Sequence, residues 1–332
     1  MKYLGRLNRD DPLFAYLRED IFPQFLDGIR PNHFRVFQFP ASNAVFLYED
    51  TSSQRKVIGK FFQRPDKDPQ QAWESAEHEW RYMQALRNIG FNSERLYIPQ
   101  AFGISRQRNS VLIEEHCVGQ SLSDVIAQSI AKHDDQMLYA RLTDLAFFLA
   151  KLHNRTARPE GVRFDTQFPY FDKIMARLQR RHRITPSQWR EIYQYREQWQ
   201  KLGSMWSDQQ VLIHGDATPS NFLFAGSRRT IAIDLERMKL ADRTYDVGMI
   251  AAEMKHHFMR TTHHAIRSEP FIGHFLWEYC THFPDRHAAF AAITERLPFY
   301  MGMTLLRIAR NSWLDWHYSQ ALVHEAIHTL RR

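Results

Sequence analysis

The stretch Leu212-Ile-His-Gly-Asp-Ala-Thr-Pro-Ser-Asn-Phe-Leu-Phe224 decides the reading of this chain. The apolar runs Val211-Leu-Ile213 and Thr230-Ile-Ala-Ile233 flank a polar loop and a Gly226-Ser227 turn, the pattern of a small sheet that holds Asp216 and Asn221 on one loop and Asp234 just after the next strand. Working outward toward the N-terminus, the runs Phe34–Phe39, Ala44–Tyr48, Val57–Phe61, Gln100–Ser105 and Val111–Glu115 predict five antiparallel strands, with a helix over Gln70–Arg87. A further helix is expected from Asp11 to Leu26, where Leu13, Phe14, Leu17, Ile21 and Phe25 recur at helical spacing behind an Asp cap. Beyond Gly119 the chain reads as mostly helical, with a long apolar helix over Asp135–His153 and a core helix over Met301–Tyr318. The expected class is α+β with two lobes: a helical extension over residues 1–33, a small five-stranded antiparallel N-lobe over 34–115, and a mainly helical C-lobe over 116–332.

Composition narrows the function classes. With 332 residues, 44% hydrophobic and 14% aromatic, the chain can bury a sizeable core and is not a disordered tail. The polar Met1–Asp10 segment lacks the apolar core of a secretory signal, and Leu142–Leu152 is interrupted by Thr143, Asp144 and Lys151, so neither export nor a membrane span is expected. Cys117 and Cys280 are too far apart to form a disulfide framework or a metal-ligand pair, and the expected location is cytoplasmic. The net charge of +7 is concentrated around Arg177–Arg183, which reads as a basic helix face. A solvated surface is its plainest meaning, attraction of anionic substrates its sharper one. No recognition module accompanies it, so nucleic acid is disfavoured as a partner.

Phosphoryl transfer asks little covalent work of a protein; it needs a carboxylate to orient the attacking hydroxyl and oxygen ligands to hold Mg²⁺ on the phosphates. Asp216 and Asn221, five positions apart, match the spacing of a kinase catalytic loop, in which the Asp is the base and the Asn a metal ligand. The pattern His214-Gly-Asp-x-x-x-x-Asn221 followed by Ile233-Asp234 resembles the signature of the aminoglycoside phosphotransferase and choline kinase superfamily, with Gly215 where protein kinases keep an arginine. Ile233-Asp-Leu-Glu-Arg-Met-Lys-Leu-Ala-Asp-Arg-Thr-Tyr-Asp-Val-Gly248 is similar to that family's continuation, in which a second acid, here Asp246, follows the metal-binding one.

The resemblance implies a protein-kinase-like fold and a set of roles. ATP, with GTP as the alternative nucleotide, would lie between the lobes; Asp216 would act as base, and Asn221 with Asp234 would hold Mg²⁺. Lys60 stands where the family keeps the lysine that grips the inner phosphates. Glu77 and Glu79 are both offered as its ion-pair partner, and Glu79 is preferred because it shares a helix face with Met83 and Leu86. Val111-Leu-Ile-Glu-Glu-His-Cys-Val-Gly119 looks like the family's hinge, with Glu115 and Cys117 contributing backbone atoms to the base. The turn expected to cover the phosphates, Phe39-Pro-Ala-Ser-Asn-Ala-Val45, departs from the pattern by lacking glycine; Ser42 and Asn43 would contact phosphate in its place.

Bland readings compete for the remaining residues. His214 is similar to a packing histidine that supports the loop, Asp246 to an acid that braces it, and Glu236 is left between a metal's outer shell and a ligand contact. Most of the 17 histidines lie late in the chain, but neighbours such as His256 and His257 point about 100° apart on a helix and make a poor metal pair. A hydroxyl-bearing small molecule is the expected acceptor: a sugar, an amino alcohol or a related metabolite, with a lean toward neutral or anionic compounds because the second lobe is basic. An aminoglycoside-type antibiotic kinase, a Ser/Thr protein kinase and a nucleotide-binding pseudokinase are the alternatives.

Overall fold

A computed structural model describes residues 1–26, 30–39 and 44–331. The chain forms two compact units, one of Met1–Gly119 with Ile231–Glu236, the other of Gln120–Thr230 with Arg237–Arg332. The first contains, in order, β1 (Lys2–Arg6), α1 (Pro12–Tyr16), β2 (Phe34–Gln38), β3 (Val45–Asp50), β4 (Lys56–Phe61), α2 (Pro69–Asn88), β5 (Leu96–Tyr97), β6 (Ala101–Ser105) and β7 (Val111–Glu115). Among the described residues its main sheet has six strands in the order β1-β2-β3-β4-β7-β6, every neighbouring pair antiparallel.

Two expectations about the N-terminus are corrected. The sheet has a sixth strand, because β1 pairs with β2 through a bulge between Tyr3 and Gly5, so this end of the chain does not stand apart as a helical extension. The helix expected over Asp11–Leu26 is helical over Pro12–Gln24 but has α geometry only over Pro12–Tyr16. Asp11 caps it by accepting from the Leu13 N–H, after which the backbone widens into a π-type turn at Leu17–Ile21 and closes with a 3₁₀ turn at Phe22–Gln24. Pro23 has no N–H to continue an α-helical ladder. The widened register turns Leu17, Ile21 and Phe22 inward, where they join Phe34, Tyr48, Val57, Val111 and Ile113 in one apolar cluster.

Helix α2 begins where Asp68 accepts from the N–H groups of Gln70 and Gln71, with Pro69 in its first turn. Its buried face runs Ala72, Ala76, Glu79, Met83, Leu86, so a glutamate occupies a position that helical periodicity reserves for apolar side chains.

The second unit contains β8 (Gln120–Ser121), α3 (Leu122–Lys132), α4 (Gln136–Arg155), α5 (Phe168–Arg180), α6 (Pro186–Gln200), β9 (Val211–Ile213), β10 (Phe222–Ala225), β11 (Arg229–Ala232), along which the chain passes back to the first unit, β12 (Lys239–Ala241), α7 (Thr244–Thr262), α8 (Glu269–Cys280), α9 (Arg286–Ala309) and α10 (Trp316–Leu330). β8 pairs with β10 and β9 with β12, both antiparallel. α3 and α6 each open on a capping box, Ser121 with Asp124 and Thr185 with Gln188. The helix expected over Met301–Tyr318 is two helices. α9 stops at Ala309, and Asp315 caps a new start by accepting from the Tyr318 N–H, 2.8 Å away.

α9 is buried on nearly every side from Phe299 to Leu306, and Gly248 of α7 lets the two helices close up, since a Cβ there would meet Tyr300 Cβ at 2.6 Å. Beside this contact Arg296 binds Asp242, its Nε 2.9 Å from Oδ2, and Asp208, which ties the segment before α7 to α9. No helix of the described residues is long and apolar enough to cross a membrane.

Candidate active site

In the first unit Lys60 lies on β4, in register with Val45 on one side and Leu112 on the other. Its ammonium donates to Glu79 Oε1 at 2.7 Å and sits 3.0 Å from Glu114 Oε1. The side chains of Lys60, Glu79 and Glu114 are 12%, 1% and 5% exposed, so this is a buried cluster with carboxylates in excess. Burial opposes the lysine's charge, but Glu114, Glu79 and Asp234 outweigh it and hold its pKa well above the ordinary value. Burial raises the pKa of Glu79 and of Glu114, against the pull of Lys60. Glu79 Oε1 also accepts from the Leu235 N–H at 3.0 Å, which fixes the backbone next to Asp234, itself in a left-handed conformation at φ +63°. Glu79 Oε2 is buried with no partner. Of the two acids weighed for α2, Glu79 therefore meets Lys60, while Glu77 pairs with Arg81.

Glu114 was not anticipated. In Val111-Leu-Ile-Glu-Glu115 every residue but the last is buried, so alternation could not reveal which glutamate turns toward Lys60. Glu115 faces elsewhere: its carboxylate accepts from the Tyr97 hydroxyl at 2.8 Å and the Gln100 N–H at 3.1 Å. Its own N–H donates to the Gln100 carbonyl, which removes that atom from those a base could use. Cys117 is half-buried, and Glu236 is exposed. Ser42 and Asn43 lie outside the described residues.

In the second unit the loop after β9 is organised from below by Asp246, in the first turn of α7. Its carboxylate is fully buried and accepts the His214 N–H at 2.6 Å and the Gly215 N–H at 3.0 Å, and His153 Nε2 lies 3.2 Å from Oδ2. Burial lowers the pKa of His153, which keeps the ring neutral and leaves one charge, that of Asp246, aimed at the loop. Gly215 adopts φ +77°, and any Cβ there would collide with the Arg237 carbonyl oxygen; only glycine makes this turn without strain. His214 is buried, its ring 5.2 Å from that of Phe222, and its Nδ1 accepts from the Asp216 N–H at 3.3 Å.

The turn delivers Asp216 and Asn221 together: the Asn221 amide nitrogen donates to the Asp216 carbonyl at 2.9 Å, and the Thr218 N–H donates to the same oxygen at 2.7 Å. The amide oxygen of Asn221 is thereby left as its acceptor atom. Arg307, near the end of α9, donates through Nη1 to Asp216 Oδ1 at 2.8 Å and through Nη2 to Glu253 Oε1 at 2.7 Å. Arg237 Nε is 3.8 Å from Asp216 Oδ2. Burial works against the Arg307 charge, but Glu253 and Asp216 more than offset it; burial in turn raises the pKa of Glu253. Arg307 had no firm role on sequence alone. Its one signal is a charge set inside Leu305-Leu306-Arg307-Ile308-Ala309.

For Mg²⁺ the donor chemistry fits. In the first unit Asp234 offers a carboxylate, and the carboxylate excess around Lys60, with Glu79 Oε2 unpaired, favours an added cation; in the second Asn221 offers an amide oxygen, and both are hard donors of the kind that ion prefers. Among the described residues no group of three or more His, Cys, Asp or Glu is arranged to hold a metal by itself.

The sequence profile of the phosphotransferase enzyme family matches residues 33–282. No curated protein sequence shows significant similarity. Among solved structures, a choline kinase from Cryptosporidium parvum Iowa II is similar with a TM-score of 0.64 and 14% identity, over 96% of this chain and 94% of that one. An ethanolamine kinase from Plasmodium vivax gives a TM-score of 0.56 and 13% identity, over 88% and 81%. The ADP-bound aminoglycoside phosphotransferase APH(2'')-Ib gives 0.56 and 14%, over 94% and 97%. At these identities the likeness is one of fold, the two-lobed α+β fold of protein-kinase-like enzymes.

Proposed function

Because the chain belongs to the phosphotransferase enzyme family, we propose that it moves the γ-phosphoryl group of ATP, in the cytoplasm, to a hydroxyl of a small molecule, with Asp216 as the base. The loop that carries Asp216 supports this reading most strongly: Asp246 and Gly215 fix its backbone, Asn221 is tied to it, and Arg307 occupies one oxygen of the Asp216 carboxylate. Oδ2, which Arg237 Nε approaches only to 3.8 Å, would receive the acceptor hydroxyl. In the transfer a bond forms between that hydroxyl oxygen and the γ-phosphorus, the bond from the γ-phosphorus to the bridging oxygen breaks, and the hydroxyl proton passes to Asp216 Oδ2 while ADP leaves. Because the transition state is loose, the hydroxyl turns acidic late, and Asp216 mainly positions it.

Lys60, oriented by Glu79 and Glu114, would bind the inner phosphates; a lysine held this way keeps its charge despite burial. Asn221 and Asp234 would hold Mg²⁺, which neutralises the charge of the outer phosphates. Glu115 at the end of β7, Cys117 just beyond it, and Ser42 with Asn43 remain candidates for nucleotide contacts. His214 and Asp246 would act through the loop and not on substrate.

Asp216→Asn is the direct test. It keeps the shape and the hydrogen bond to Arg307 while removing the base, so turnover should fall by about a hundredfold to ten-thousandfold with nucleotide affinity unchanged. Equal turnover in the two proteins would remove Asp216 from the reaction.

A further inference from the structure

A cavity of about 560 Å³ in the second unit is lined by three arginines, Arg260, Arg307 and Arg310, and by one carboxylate, Glu253. Glu253 is already engaged, bonded to Arg307, whose other arm holds Asp216. Even with both carboxylates counted, the wall keeps a surplus of positive charge. Among the described residues neither Arg260 nor Arg310 is paired with an acid, and the more buried of the two is Arg310. Its polar side-chain contact is the Tyr170 hydroxyl at 3.4 Å, over whose ring it lies at 5.5 Å, and its Nε is buried without a partner. Arg307 Nε is likewise buried and unpaired.

Leaving buried guanidinium N–H groups without acceptors costs free energy, and the planar fork of arginine matches the oxygens of a carboxylate or phosphate. The basic face expected around Arg177–Arg183 reaches the same place, since Arg181 donates to the Arg310 carbonyl oxygen and Arg177 adds to the repulsion felt by Arg310. The cavity gives a cation little purchase. Arg260 lies 5.0 Å over the Trp313 ring, the aromatic surface a quaternary ammonium would need, and no unpaired carboxylate lines the wall among the described residues. His256, also on the wall, stays neutral at physiological pH, because burial and then the charges of its neighbours lower its pKa to about 3.

We propose, resting on the phosphotransferase reading of Asp216, that the acceptor alcohol carries an anionic group of its own, a carboxylate or a phosphate, which Arg310 and Arg260 bind beside Arg307. The acceptor is then an acid or phosphate ester with a free hydroxyl, chemically opposite to an amino alcohol or a polycationic antibiotic.

Two readouts test this in the full-length protein: ligand binding followed by tryptophan fluorescence, and Mg-ATP-dependent ADP formation. The probes are inorganic phosphate, tetramethylammonium, and the matched set glucose, gluconate, glucose 6-phosphate and glucosamine. Phosphate and the anionic sugars should bind in preference to the neutral and cationic probes, and Arg310→Gln with Arg260→Gln should weaken that binding about tenfold to a hundredfold. Arg310→Lys, which keeps the charge and loses the fork, should fall between. Comparing gluconate with glucose 6-phosphate tells carboxylate from phosphate. The inference is overturned by absent anion binding, by anion binding that ignores the arginine substitutions (an adventitious ion only), or by preference for tetramethylammonium or glucosamine. ADP formation with neutral or cationic probes that survives both substitutions would overturn it too, while sparing the phosphotransferase reading. Arginine-dependent anion binding in a protein that neither binds nor consumes ATP would instead sink the phosphotransferase reading, and the acceptor role with it.

Discussion

The surroundings of Lys60 and those of Arg307 are built from the same materials with the signs exchanged. Around Lys60 one ammonium faces Glu79, Glu114 and, at longer range, Asp234, all in the first unit. Around Arg307 two carboxylates, Asp216 and Glu253, are held by one guanidinium, and Arg260 and Arg310 add charge that, among the described residues, no acid of the cavity wall cancels. A buried group of charges is stable only when what it lacks can be supplied. The first region lacks positive charge, which suits a lysine clamp working beside a metal ion; the second lacks negative charge, which suits an anionic ligand. The two regions therefore ask for different partners, and the difference follows from counting side chains.

Removing the cation from each region separates them most sharply. Lys60→Met strands Glu79 and Glu114 together without a counter-charge, and the protein should lose about 3–5 kcal/mol of stability near neutral pH in denaturant titrations. Both glutamates already have folded-state pKa values above the ordinary carboxylate range. The folded variant should hold protons the unfolded chain has released, so its stability should recover as pH falls from neutral toward the ordinary glutamate value. A variant as stable as the parent at neutral pH would mean that the cluster is not charged as described.

His256 should show a smaller effect of opposite sign. Its folded pKa is lowered from 6.5 to about 3, first by burial and then by His257, Arg260 and Arg307, so below pH 6.5 the unfolded chain binds a proton that the folded one refuses. Stability should fall as pH drops through that window, by about 2 kcal/mol at pH 5 for this group alone. His256→Gln, able to keep a hydrogen bond to the Tyr318 hydroxyl, should flatten that part of the profile. An unchanged slope would place the ring in water. Smallest of all, Arg310→Gln should change stability by no more than about 0.5 kcal/mol, because it strands no acid and relieves repulsion from Arg177 and Arg307. A loss comparable to that of Lys60→Met would erase the contrast between the regions.

What could be read from sequence was whatever chemistry lies close along the chain. Asp216 and Asn221 share one loop, where their spacing marked them, while Lys60 followed from the family resemblance and Glu79 from the helix face it shares with Met83 and Leu86. Most strand limits also followed from short apolar runs bounded by polar turns, as at Val111–Glu115. The missed features depend on partners distant in sequence or on local geometry without a compositional mark. β1 is mostly exposed and bulged at Gly5, so it presents no apolar alternation. The π-type turn at Leu17–Ile21 leaves the apolar spacing of a helix in the sequence while the Phe22 N–H donates to the Leu17 carbonyl, one residue beyond the α-helical pattern. The boundary between α9 and α10 was hidden by apolar residues on both sides, although Asp315 is a recognisable cap. Arg307 meets Asp216 only because α9 packs against α7 beside the loop, a contact that no pattern within α9 announces.

Phosphorus NMR of the protein with Mg-ATP and the anionic sugar probes tests the central claim most directly. The account predicts a phosphate monoester signal that grows in step with ADP for the parent protein and fails to appear with Asp216→Asn. ADP accompanied only by inorganic phosphate, or a monoester formed equally fast by Asp216→Asn, would contradict it.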